Sequence, residues 1–300
     1  MHLSLFLICL VGLNVTVTFS SLGEDVKLLL SKNDTLSYIA PPGIDPHMYQ
    51  LTPRDVEKLK TSSLIISTSH VPFEIKIKEL VNKGIIKAKL IEIPFIPNIK
   101  LKKNPALNQS ILHMPIYDPN NYKTFIFYLA NILAELNPKS ALEYKNNAKM
   151  VLEQVNNITL DAPKLNVTGV GDFPFTPYAV SWLNLTISYL VVKEWGIPPT
   201  PKDLLEIEEK IKEGKIKIAV VTKSKSTPSK KLENLAKKYE IPILYVDSPI
   251  VTKSIIEKLK NIRIESEELT TLKSKNMSFE ITLTLIAFIL LAIRSFKKHG

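Results

Sequence analysis

The chain has a single cysteine, Cys9, set inside an apolar N-terminal run. The remainder therefore has no disulfide and no thiolate metal ligand. Glycine is scarce, nine residues against twenty prolines, which implies stiff loops, and there is no glycine-rich phosphate loop. Internal repeats and long low-complexity stretches are absent. Acid is short relative to base: 29 Asp and Glu against 39 Lys and Arg give a formal charge of +10. Those lysines are spread along the whole chain and accompany no nucleic-acid module. They read as solvated surface, and nucleic acid is excluded as a partner. No Ser/His/Asp set is evident, and Ser69 beside His70 is a chance-level pairing.

Both ends are apolar. Leu3 to Val17 is almost uninterrupted hydrocarbon, followed by Ser20 and Ser21. This predicts a signal peptide over residues 1–20, with an uncleaved N-terminal anchor as the alternative. Met277–Ile293 is a second apolar run, near the short limit for a membrane span. Arg294, Lys297 and Lys298 follow it, which by the positive-inside rule predicts a cytoplasmic tail. The expectation is a cell-membrane, single-pass protein with its body outside the cytoplasm. Sequons at Asn33, Asn108, Asn157, Asn166, Asn184 and Asn276, with Asn14 in the leader, suit a glycosylated surface protein.

Between the ends, strands and helices alternate, which predicts parallel sheets with helical crossovers. Short strands are expected at Lys27–Leu30, Leu36–Ile39, Leu64–Thr68 and Lys87–Ile93. Thr52-Pro53-Arg54-Asp55 opens a helix: Thr52 caps, Pro53 takes the first helical position and Asp55 lies in the first turn. From Asn121 to about Asn156 the pattern is helical, interrupted at Pro138. Tyr178 to Val192 reads as helical. Further helices are expected over Pro201–Glu213, Ser229–Tyr239 and Thr252–Leu259, with strands over Lys217–Thr222 and Pro242–Val246. Ile262 to Lys275 reads as a polar tether.

With His2 and His299 at the two ends, the body holds three histidines, His47, His70 and His113, each at or beside a predicted loop. Loops at the carboxyl ends of parallel strands are where α/β proteins place ligands. Three imidazoles and a carboxylate suit zinc, and also manganese or ferrous iron. A lone loop histidine is more often structural, however, and spacings of 23 and 43 residues match no compact zinc motif.

The surrounding residues add more. Gly43-Ile44-Asp45-Pro46-His47, then Leu51-Thr52-Pro53-Arg54-Asp55, resembles the opening metal motif of the zinc/manganese-type solute-binding proteins of ABC importers. Leu64-Ile65-Ile66-Ser67-Thr68-Ser69-His70-Val71-Pro72-Phe73-Glu74 is similar to that family's strand, ligand loop and helix start. His113-Met114-Pro115-Ile116-Tyr117-Asp118-Pro119 resembles its His-x-Trp-x-Asp-Pro segment, with Tyr117 in the tryptophan's place. Asn137-Pro138 then precedes a long helix bearing Tyr144 and Asn147. The resemblance runs from about Lys27 to Ser248.

It implies an α/β fold of two lobes with parallel sheets flanked by helices, joined by a rigid linker helix. The expected layout is an N-terminal lobe at 21–135, the linker at 136–160, a C-terminal lobe at 161–262, a tether at 263–276, the transmembrane helix at 277–293 and a tail at 294–300. It implies a bound divalent ion, Zn2+ or Mn2+ or else Fe2+, as transported cargo, and an ABC permease with its ATPase as partner, not an enzyme. His47, His70 and His113 are the implied ligands, with Asp247 as the fourth and Asp172 as its alternative. His70 departs from the pattern, standing four residues before Glu74 where many relatives have two. Asp45 and Asp118 are expected to support the site by accepting backbone N–H bonds or orienting a histidine. Glu74 is expected at a helix start. On residues alone two rivals stay open: an exported zinc-dependent hydrolase, and a surface adhesin that binds no metal.

Overall fold

The computed structural model describes residues 12–194 and 196–271. The first sheet comprises β1 (Asn14–Phe19), β2 (Thr35–Ala40), β3 (Leu64–Ser67) and β4 (Lys89–Glu92), parallel and in the order β2-β1-β3-β4. Helices α1 (Ser20–Lys27), α2 (Pro53–Lys60) and α3 (Pro72–Asn82) make its crossovers. Two long helices follow, α4 (Pro119–Leu136) and α5 (Ala141–Thr159), separated by a short turn at Pro138. The second sheet repeats the order of the first, β6-β5-β7-β8, with β5 (Val167–Gly171), β6 (Leu185–Leu190), β7 (Ile218–Thr222) and β8 (Ile243–Val246). It is also parallel. Around it lie α6 (Thr176–Val180), α7 (Pro201–Lys212) and α8 (Thr227–Lys238). Residues 255–271 form α9.

The sheets form where the sequence concentrates β-branched and aliphatic residues, because a central parallel strand is covered on both faces. Leu64, Ile65 and Ile66 of β3 are fully buried, each contributing roughly 1.5–3 kcal/mol of transfer free energy. In β7 the period of two divides the strand between two cores. Ile218 and Val220 join the core that runs through α4 and α5 into the first lobe, while Ala219 and Val221 join a smaller one with Ile207, Ile211 and Leu232 from α7 and α8.

The leader expected over residues 1–20 overlaps the fold. Residues 14–19 are β1, hydrogen-bonded to strands on both sides, with Val15 opposite both Leu36 and Leu64. A chain cut after residue 20 would lose the strand on which its first sheet is built, so the N-terminal lobe begins before residue 21. Buried Thr16 and Thr18 are satisfied by distant partners, Ser37 and Ser62 for the first and Glu74 for the second.

Other expectations also shift. The segment 27–30 lies at the end of α1, not in a strand. The helix expected over 178–192 is instead α6, a turn of 3-10 helix and strand β6, broken at Asn184, whose φ is +53°. The sequon asparagines Asn108, Asn166 and Asn184 all take the left-handed conformation that asparagine tolerates, which gives them a backbone role independent of any glycan. The tether expected from 263 is helical through 271 and buries Ser266. Arg263 donates from Nη1 to the carbonyls of Asn157, Ile158 and Leu160 at 2.8–3.1 Å, capping the negative end of α5.

The C-terminal transmembrane helix and the single-pass membrane arrangement are corrected. Among the described residues no helix is long and apolar enough to cross a membrane, and the apolar run at 277–293 lies outside the described residues.

The two lobes are tied directly. The carboxylate of Asp25, buried in α1, accepts from Tyr122 Oη of α4 and from the Ile255 N–H at the start of α9, each at 2.7 Å. Burial raises its pKa to about 6. Tyr144 of α5 donates to Asp34 at 2.8 Å, and Asn147 to the Leu29 carbonyl at 3.1 Å.

Candidate metal centre

Three loops of the first lobe converge at the carboxyl ends of its strands. The loop after β2 carries His47, and Tyr49 fixes its far end by donating to Asp55 at 2.8 Å. Asp55 in turn closes the capping box of α2 with Thr52, as the Thr-Pro-x-Asp sequence predicts. The loop after β3 carries His70. It turns through Ser69, with φ of +56°, whose hydroxyl donates to Glu92. His113 precedes Met114, with φ of +49°, and a 3-10 turn, Pro115–Tyr117. Asn121 Nδ2 holds that turn through the Pro115 carbonyl at 3.0 Å.

These loops bring His47, His70 and His113 together. One donor nitrogen from each ring lies within 4.8 Å of the others. The ring centroids stand 5.4 Å (47–70), 5.7 Å (47–113) and 4.5 Å (70–113) apart. The rings share a cavity of about 180 Å³ whose opposite wall is the second lobe, including Phe173, Phe175, Ser248 and Ile250. Gly171 shapes that wall: a Cβ there would stand 1.9 Å from Thr176 Oγ1, so only glycine lets the chain double back so tightly after β5.

Burial keeps the rings neutral. It lowers His70 to about 4, with the His47 imidazole adding to the effect, and His113 to about 3, with the His70 and His47 imidazoles adding. His47 is lowered by burial too, with Asp45 opposing the shift. Neutral imidazole is the form that binds metal.

The hydrogen bonds also assign tautomers. Asp45 Oδ1 accepts from both the backbone N–H and Nδ1 of His47, at 3.0 and 3.1 Å. His70 Nδ1 lies 2.8 Å from Thr68 Oγ1, whose own proton goes to Glu74 Oε2 at 2.8 Å. For His47 the carboxylate acceptor puts the proton on Nδ1 and leaves the lone pair on Nε2.

Not every residue expected at the site joins it. Asp247, expected as the fourth ligand, accepts instead from Lys253 at 3.2 and 3.3 Å and from Asn261 at 2.7 Å. Asp172, its alternative, is fully buried and takes three hydrogen bonds, from Thr222 N, Thr222 Oγ1 and Ser229 Oγ, at 2.7–2.8 Å. Neither belongs to the cluster of donors. Asp118 caps α4 through the N–H groups of Asn120 and Asn121 and accepts from Ser181. It therefore has the backbone role, while Asp45 bonds a histidine. Glu74 starts α3 and receives the N–H groups of Thr68, His70 and Val71.

Two contributors escaped the sequence reading. Thr68 bridges His70 to Glu74, and all three lie within seven residues, a spacing that could have drawn notice. The Tyr117 hydroxyl donates across the lobes to the Asp247 carbonyl at 2.8 Å, a link 130 residues long with no local signal.

Three neutral imidazoles facing a cleft between two parallel α/β lobes define a metal-binding protein of two-lobed architecture. The chain belongs to the family described as zinc-uptake complex component A, periplasmic, which matches residues 15–254. It is 25% identical over 265 residues to the metal ABC transporter substrate-binding lipoprotein ScbA of Streptococcus cristatus, covering 82% of each chain. It is 23% identical to the iron-binding protein YfeA of Yersinia pestis, covering 78% of this chain and 77% of that one. Its fold matches the SBP FpvC of Pseudomonas aeruginosa, solved in complex with Mn2+, with a TM-score of 0.70 at 17% identity, over 86% of this chain and 99% of that one. The Cd-bound periplasmic metal binding protein of Candidatus Liberibacter asiaticus gives a TM-score of 0.67 at 19% identity, over 84% and 97%.

Proposed function

We propose that the chain captures one divalent transition-metal ion between its lobes, outside the cytoplasm, and delivers it to the permease and ATPase of an ABC importer. The ion is cargo, released unchanged. The observation that carries this reading is the convergence of three histidines, far apart in sequence, to within 4.8 Å at their donor atoms. Relatives named as metal transporter substrate-binding and iron-binding proteins support it.

His47, His70 and His113 are the proposed ligands, the first two through Nε2. Zinc–nitrogen bonds of about 2.0–2.1 Å require the rings to draw together slightly on loading. Among Zn2+, Mn2+ and Fe2+, an all-imidazole donor set favours Zn2+, because Mn2+ prefers oxygen donors.

Elemental analysis of purified protein, loaded with Zn2+ and freed of excess, tests this. One ion per chain is expected, and His47→Ala and His113→Ala should each abolish retention while leaving the protein folded. A wild-type protein that holds no ion, or variants that hold a full complement, would overturn the reading.

A further inference from the structure

We propose that Thr68 is a positioning residue for the metal ligand His70, relaying the buried Glu74 carboxylate to the imidazole and committing Nε2 as the metal donor. The chain of bonds is directional. Glu74 accepts at both carboxylate oxygens, from Thr18, Thr68, His70 and Val71, and the Thr68 hydroxyl proton points at it across 2.8 Å. The Thr68 oxygen is then left as an acceptor for His70 Nδ1–H, also at 2.8 Å. Glu74 Oε2 is 3.9 Å from His70 Nδ1, too far for a direct hydrogen bond, so the hydroxyl supplies the link. Each element is buried: Thr68 fully, Glu74 to 2% exposure and the His70 side chain to 8%. Water therefore competes little for either bond.

The relay is separable from the helix start that Glu74 also makes. Glu74 accepts independently from Thr18 Oγ1, Thr68 N, His70 N and Val71 N. Thr68→Val keeps shape and backbone donors and removes only the hydroxyl. Fixing a ligand's tautomer through its other nitrogen typically changes metal affinity by about 10–100-fold.

Because this role presupposes that His70 holds the cargo ion, as proposed above, one arm of the test needs no metal. In ion-free wild-type protein at neutral pH, 15N NMR of the imidazoles should show His70 as the Nδ1–H tautomer, and Thr68→Val should populate both tautomers. In the second arm, competition against a chromophoric chelator should show Zn2+ affinity falling about 10–100-fold in Thr68→Val and restored in Thr68→Ser. A wild-type His70 protonated at Nε2, a Thr68→Val protein that binds Zn2+ as wild type does, or failure of serine to restore affinity would overturn the relay. If wild-type protein binds no Zn2+, the transport reading fails, and the tautomer measurement still decides the relay.

Discussion

The two lobes share a strand order and a device, yet only one supplies candidate ligands. In the first lobe, Thr68 follows β3, and a buried carboxylate, Glu74, holds both its N–H and its hydroxyl. In the second, Thr222 ends the corresponding strand β7, and buried Asp172 holds its N–H and hydroxyl in the same way. The lobes diverge at the next step. The first places His70 on the threonine oxygen, whereas the second spends the remaining acceptor capacity of Asp172 on Ser229. An anchored threonine at a strand end is thus a loop-fixing element in both lobes, and only in the first does an imidazole pack on its oxygen. The two carboxylates expected from the second lobe are engaged differently: Asp172 by backbone and hydroxyl donors, Asp247 by the Lys253 ammonium and the Asn261 amide.

The contrast can be broken most sharply at the proposed ligands. His70→Ala should lower Zn2+ affinity by more than the roughly 10–100-fold typical of outer-shell changes, whereas Asp247→Asn should leave one ion per chain. Isothermal titration of both variants reads this, and loss of the ion in Asp247→Asn would give the second lobe a ligand after all. Next in size, Asp172→Ala should destabilise the ion-free protein by on the order of 1–3 kcal/mol for each stranded donor. Urea denaturation measures that loss, and zinc stoichiometry should be unchanged in the folded variant.

The lobes should also differ in their response to acid. An unfolded chain protonates its histidines near pH 6.5, while burial holds His70 to about 4 and His113 to about 3. Between these values the unfolded state binds more protons at these two positions, so the histidines remove stability as pH falls from about 6.5 towards 4, while Asp25 and Asp172, raised by burial to about 6, act in the opposite sense below that value. Replacing His113 by Gln should flatten that slope in denaturation midpoints measured across the range. The smallest effect is expected at Arg263→Ala, which uncaps α5 between the lobes and should cost about 1 kcal/mol, visible as a lowered thermal midpoint with metal affinity retained.

Much of the fold was legible because buried parallel strands and capped helices carry local signals. Leu64, Ile65 and Ile66 of β3 and Ile218–Thr222 of β7 are unbroken β-branched and aliphatic runs, and Thr52-Pro53-Arg54-Asp55 states its helix start outright. The same property misled at the N-terminus. A central strand covered on both faces has the hydrophobicity of a secretory leader, and what distinguishes β1 is the partners of Thr16 and Thr18, which lie 21 to 56 residues away. At 178–192 an apolar run concealed a helix-to-strand change made at Asn184, whose left-handed backbone ends the turn. The histidines could be named from their motifs. The engagement of Asp247 by Asn261 could not, since it depends on how α9 returns against the second lobe.

X-ray absorption at the zinc edge of the loaded protein addresses the central claim directly. A low-coordinate site with three imidazole rings at about 2.0–2.1 Å is expected, reduced to two in His70→Ala. A shell dominated by oxygen, or one imidazole signature that survives unchanged when His70 is removed, would contradict it.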